Sequence, residues 1–173
     1  MTTTKTKLKR LTHLVIRVRN AQRSKQFYTE VMGLNISGEF PGMIFYSTDD
    51  AQTTHDLATQ EIGDDAPGPQ QNRVGMYHMA WQVESIEELE NFHRKLKEHD
   101  VKIVGYGEHG VAFGIYFLDP DGNEIEVTYE LPKEQWPDGK PVLRGPIPFT
   151  VNLQDEAKII KLNVRHREDM QWS

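Results

Sequence analysis

Residues 111–129 read VAFGIYFLDPDGNEIEVTY, and this stretch decides the fold. Its centre, Asp119-Pro120-Asp121-Gly122-Asn123, is a dense turn signal, because Pro presets one backbone angle and Gly and Asn accept the left-handed one. The flanking runs, 111–118 and 124–129, are rich in aromatic and β-branched residues and read as two strands of a hairpin. With the turn centred near Asp121, Tyr116 and Glu126 fall opposite each other, their Cβ atoms about 5 Å apart. Side chains alternate faces along a strand, so Phe113, Ile115 and Phe117 point the other way, towards whatever helix covers the sheet.

Working outward, 74–83 reads as a strand, and Ser85-Ile86-Glu87-Glu88 has capping-box spacing ahead of a helix running to about His99. A short strand over 101–105 precedes the hairpin, so 74–131 is a βαβββ module. Residues 11–61 repeat the plan. LTHLVIRVR at 11–19 alternates as a strand, and Asn20 is a natural N-cap. Phe27, Val31 and Met32 sit at helical spacing over 21–32, and Gly33 stops the helix. Strands over 34–39, 43–47 and 53–59 follow.

Sliding one module onto the other aligns His13 with His78, 65 positions apart, and Phe45-Tyr46 with Tyr116-Phe117, 71 apart. The same 71 carries His55 onto Glu126. The stretch 62–73 (IGDDAPGPQQNR) reads as a linker, 1–10 as a tail, and 132–173 as an extended arm matching neither copy. The fold class is α+β, two βαβββ modules.

The 173 residues carry a formal charge of −6 and no cysteine. No cluster of Lys and Arg gathers for phosphate binding, so no nucleic acid is expected. No run approaches the ~18 apolar residues of a membrane span, and the basic start lacks the apolar region of a secretory signal. A cytoplasmic protein is expected. Without thiolates, any metal falls to imidazole and carboxylate.

By parity His13 shares a face with Val15 and Arg17, and His78 with Ala80 and Gln82, while the apolar partners turn to the helices. Two imidazoles and one carboxylate, Glu126, thus come from three strands. Such a facial set suits a non-heme Fe(II) oxygenase, leaving positions open for substrate and O2. The competing reading is hydrogen-bonded structural histidines and a solvated glutamate. It is the matched position of His13 and His78 in the two copies that favours the metal.

The paired modules resemble the vicinal oxygen chelate superfamily, whose two modules close an open barrel around a metal. Gly107-Glu108-His109, five residues, then Ile115-Tyr116 and Asp119-Pro120-Asp121-Gly122 up to Glu126 resemble the signature of the small, one-domain extradiol dioxygenases. Thr54-His55-Asp56-Leu57-Ala58 is similar to the segment carrying that family's active-site histidine. The resemblance, over residues 8–130, implies Fe(II) on His13, His78 and Glu126, with Mn(II) accepting the same ligands. It implies His55 as acid–base catalyst, and His109 and Tyr116 as hydrogen-bonding partners of the substrate oxygens. It implies a catechol-type substrate, O2, and a muconic semialdehyde-type product in aromatic catabolism. Met43 and Phe45 are expected pocket walls or core, and a homo-oligomer is expected, the arm crossing to a partner or capping the pocket.

Rival readings come from the same resemblance: a glyoxalase-like four-ligand site with His55 as fourth ligand, a thiol transferase, or a metal-free resistance protein. His93, His99 and His166 are expected at the solvated surface.

Overall fold

The computed structural model describes residues 6–70, 72–108 and 111–136. His109, His166 and the arm beyond Trp136 lie outside the described residues. The chain divides into two compact units between Pro67 and Gly68, each a four-stranded mixed sheet with helical cover.

The first unit runs β1 (Leu14–Val18), α1 (Ala21–Gln26), β2 (Asn35–Phe40), β3 (Met43–Ser47) and β4 (Leu57–Glu61), with sheet order β1-β4-β3-β2. The helix starts where Asn20 accepts a hydrogen bond from the Arg23 amide, a cap of the kind that contributes about 1 kcal/mol. Instead of ending as α-helix it widens into a π turn over Phe27–Val31, with Met32 N–H reaching back to Phe27 C=O. That widening packs Tyr28, fully buried, on the ring of Tyr46. Gly33, at φ 75°, then turns the chain, a conformation without steric cost only for glycine. Ile16 and Val18 are buried while Val15 and Arg17 are exposed, the alternation read from the sequence.

The second unit runs β5 (Met79–Val83), α2 (Ile86–Glu98), β6 (Ile103–Glu108), β7 (Ala112–Leu118) and β8 (Glu124–Glu130), with sheet order β5-β8-β7-β6. Ser85 caps α2 by accepting from the Glu88 amide. The Glu88 carboxylate reaches back to the amide of Glu84, one residue earlier than the usual reciprocal bond. Leu89, His93 and Leu96 are the buried residues of α2, a 4-3 spacing that makes one stripe. The expectation of a solvated His93 is therefore wrong. Its place on the stripe buries it, and the Tyr106 hydroxyl, 2.8 Å from Nε2, satisfies its polarity. His99 caps the helix and is exposed, as expected.

The β7–β8 hairpin follows the sequence closely. Asp119 accepts hydrogen bonds from the amides of Asp121 and Asn123 and from the Asn123 side chain, and Gly122 takes φ 90°. The buried Asp119 thus replaces the water its carboxylate loses with three donors. Phe113, Ile115 and Phe117 are buried, and Phe117 meets Phe92 of α2.

Two expected strands are shorter than read. Residues 51–56 are bends rather than strand, and 72–78 are irregular. Alternation can identify a pleated face, but a ladder also needs a hydrogen-bonding neighbour. In 51–56 such bonds reach β1 and β3 only at Asp56, from its N–H to the Tyr46 carbonyl and from the Leu14 N–H to its carbonyl.

Candidate functional site

The matched histidines occupy matched places. His13 immediately precedes β1, and His78 immediately precedes β5. Each first strand pairs in parallel with the last strand of its own sheet, from Leu14↔Leu57 and from Met79↔Ile125.

In the second unit, Tyr116 and Glu126 are register partners across β7–β8, as the hairpin reading requires. The Tyr116 hydroxyl donates to Glu126 Oε1 at 2.9 Å, and His78 Nε2 faces Glu126 Oε2 at 3.3 Å. The His78 ring meets the Tyr116 ring edge-on, centroids 5.4 Å apart. His78 Nδ1 is buried without a hydrogen-bond partner among the described residues, with Glu124 Oε1 3.8 Å away. Glu126 itself is buried. On the ladder Glu126 stands between Ala80, its partner on β5, and Tyr116, its partner on β7. Burial pushes the Tyr116 phenol far above its ordinary range, and the charge of the Glu126 carboxylate pushes it further. A phenol so placed stays protonated and acts as a donor.

In the first unit, the His13 and His55 rings lie against each other at a tilt of 34°, centroids 4.3 Å apart. Phe45 meets the His55 ring edge-on at 5.0 Å. Each Nδ1 lies beside the hydroxyl of the threonine before it, 3.2 Å for Thr12 and 3.0 Å for Thr54. A hydroxyl that accepts there holds the proton on Nδ1 and leaves Nε2 its lone pair, the form that binds a metal. The Thr53 hydroxyl lies within hydrogen-bond distance of the carbonyls of both Thr12 and His55, tying the two histidine-bearing segments together. Met43 and Phe45 are half-buried, while Ile44 and Tyr46 between and beyond them form the core.

The structure therefore brings His78 to Glu126 and Tyr116, and His55 to His13 and Phe45. Among the described residues, no three His, Asp or Glu side chains stand together in ligating geometry. His109 falls outside the described residues.

One expectation is corrected. His55 is not the repeat counterpart of Glu126. Phe45 pairs with Ala58 on β4 as Tyr116 pairs with Glu126 on β8, so Ala58 holds the carboxylate's position. The path from Phe45 to Ala58 is three residues longer than that from Tyr116 to Glu126, so a constant offset cannot be carried through it. The symmetry argument for a fourth ligand at His55 goes with it. Two residues escaped the sequence reading, Gly114 and Glu124. Parity alone put both on the Tyr116–Glu126 face, a signal that was available.

Comparison with known proteins shows the family of the fold. The family model described as the Glyoxalase/Bleomycin resistance protein/Dioxygenase superfamily matches residues 10–127. The chain is similar to a catechol-2,3-dioxygenase of Bacillus subtilis (strain 168), 30% identical over 69% of this chain and 41% of that protein. It is also similar to a biphenyl-2,3-diol 1,2-dioxygenase 3 of Rhodococcus globerulus, 28% identical over 70% of this chain and 63% of the other. The chain thus spans less than two thirds of either relative's length. Among solved structures, a glyoxylase/bleomycin resistance protein/dioxygenase domain from Frankia sp. EAN1pec shares the fold. Its TM-score is 0.61 at 19% identity, over 72% of this chain and 99% of that one. With its two βαβββ sheets and a family match over most of its length, the chain belongs to the Glyoxalase/Bleomycin resistance protein/Dioxygenase superfamily.

Proposed function

We propose that the protein is an extradiol dioxygenase opening catechol-type rings with O2, with Fe(II) held by His13, His78 and Glu126. Mn(II) accepts the same ligands. The observation that carries this reading is the cluster of half-buried His78 and Tyr116 on the buried carboxylate of Glu126, in a chain whose curated relatives are named as catechol and biphenyl-diol dioxygenases.

Two of the three donors, His78 and Glu126, stand at a spacing that suits such an ion. Cis ligands on an octahedral ion with bonds of about 2.1 Å lie about 3 Å apart, close to the 3.3 Å between His78 Nε2 and Glu126 Oε2. When bound, the metal supplies Lewis acidity that eases catechol ionisation and the electron transfer that O2 requires. The chain's own residues do the rest. Tyr116, kept protonated by burial and by its neighbour's charge, anchors Glu126 Oε1 and leaves Oε2 directed to the His78 side. His55, held against the ring of Phe45, is the acid–base group, imidazole being the side chain most often used for proton transfer. Met43 and Phe45 wall the substrate's side of the first unit, and His109 hydrogen-bonds a substrate oxygen.

Aerobic incubation of Fe(II)-reconstituted protein with catechol or 3-methylcatechol is expected to give a yellow, ring-opened semialdehyde. Absence of product across a panel of catechols would sink the proposal. His55→Ala is expected to retain the metal and lose turnover by roughly 10²–10⁴. Loss of iron from that variant would instead make His55 a ligand. Metal analysis of protein purified without O2 separates both from a metal-free binding protein.

A further inference from the structure

Glu126 reaches its position over a residue with no side chain. A Cβ built on Gly114 would meet Glu126 Oε1 at 2.2 Å, Cδ at 3.0 Å and Cγ at 3.1 Å. Gly114 lies on β7 two residues before Tyr116, paired with Thr128 rather than with Glu126. The carboxylate therefore leans diagonally across the ladder and rests on bare backbone. Nothing about the backbone explains the glycine, since its φ is not in the left-handed range. Glycine inside a strand costs stability through lost packing and greater chain entropy. A space used by one specific carboxylate accounts for it.

The first unit shows the alternative filling of the same frame. Met43 on β3 stands where Gly114 stands on β7, two residues before Phe45 as Gly114 is before Tyr116. The position matching Glu126 is Ala58. A long side chain at 43 goes with a short one at 58, and the absent one at 114 goes with the long one at 126. The two positions exchange volume.

We propose that Gly114 is a positioning residue for Glu126. Its missing Cβ selects the carboxylate orientation in which Tyr116 holds Oε1 and Oε2 is presented to His78, and so fixes the geometry of the metal-binding carboxylate. The functional half of this statement rests on the metal reading above; the positional half does not.

A double-mutant cycle tests the positional half in metal-free protein, by thermal melting. Gly114→Ala is expected to lower the melting temperature by a few degrees when Glu126 is present. It is expected to lower it not at all, or to raise it, in the Glu126→Ala background, where no carboxylate occupies the space. Equal shifts in the two backgrounds would overturn the proposal. Mn(II) titration followed by calorimetry and electron paramagnetic resonance tests the functional half. Gly114→Ala is expected to weaken Mn(II) binding about 10–100-fold, the range for groups that orient a ligand, with an altered Mn(II) spectrum. Gly105→Ala is the control. Gly105 pairs with Tyr116 from the other side, and a Cβ there meets nothing within 4 Å, so its affinity is expected to equal that of the parent. Parental affinity in Gly114→Ala would overturn the functional half, whereas a parent that binds no Mn(II) or Fe(II) would overturn the metal reading itself.

Discussion

The two sheets of this protein share one frame and fill it differently. In both, the first strand pairs in parallel with the last and a histidine stands just before it. In both, an aromatic residue on the third strand faces a fixed position on the fourth. In the first sheet that pair is Phe45 with Ala58, and in the second it is Tyr116 with Glu126. One is a packing contact; the other is a hydrogen-bonded carboxylate. The histidines differ to match. His13 lies against a second imidazole, His55, while His78 faces the carboxylate. Duplication of a backbone thus sets where chemistry can sit, and a few substitutions at equivalent positions decide which chemistry each half contributes. On the proposed reading the second half supplies charge and most of the metal affinity, and the first supplies proton transfer and the pocket wall.

The largest effect expected from breaking this division is at Glu126. Glu126→Ala should abolish metal binding, beyond the roughly 100-fold that groups outside the ligand shell cost. Calorimetric titration of Mn(II) checks this, and an affinity within a few-fold of the parent would leave the two halves without the proposed difference.

The reverse change is a test of the first half. Ala58 is fully buried and faces Phe45, with no hydroxyl to receive a carboxylate and Met43 occupying the adjacent space. Ala58→Glu is expected to cost about 3–5 kcal/mol, the range for an uncompensated buried charge, in urea denaturation. A small cost would mean that the first sheet is as ready for a carboxylate as the second.

The smallest effect is at Tyr116. Tyr116→Phe loses the bond to the Glu126 carboxylate, expected to cost about 1.5–3 kcal/mol at neutral pH. The raised pKa of Tyr116 means that the fold holds a proton which the unfolded chain releases near pH 10. Its contribution is complete below about pH 10 and is lost as pH rises further. The stability gap between parent and Tyr116→Phe should therefore narrow above pH 10. A constant gap up to the alkaline unfolding transition would show that Tyr116 ionises normally.

Much of this was legible in the chain. The turn Asp119–Asn123 fixes a hairpin by itself, because Asp119, Gly122 and Asn123 satisfy one another locally. With the turn placed, parity alone brings Tyr116 opposite Glu126. The caps Asn20 and Ser85 likewise act within a single turn of helix. His93 was misread because a histidine's burial depends on a partner, Tyr106, on another element, even though its stripe with Leu89 and Leu96 was visible.

What the sequence by itself determined, then, is the repeated βαβββ plan, the faces of its strands, and the Tyr116–Glu126 pair. These follow from short-range backbone geometry and a two-residue period. What only the tertiary structure decided is the register between strands brought together by long connections. That register moves the equivalent of Glu126 from His55 to Ala58. Loop length between paired strands leaves no periodic trace, so the offset between the copies changes at the 48–56 loop with nothing in the residues to announce it. The physical reason is the same in each case: a ladder is chosen by the neighbour it bonds to, and that neighbour is distant in sequence.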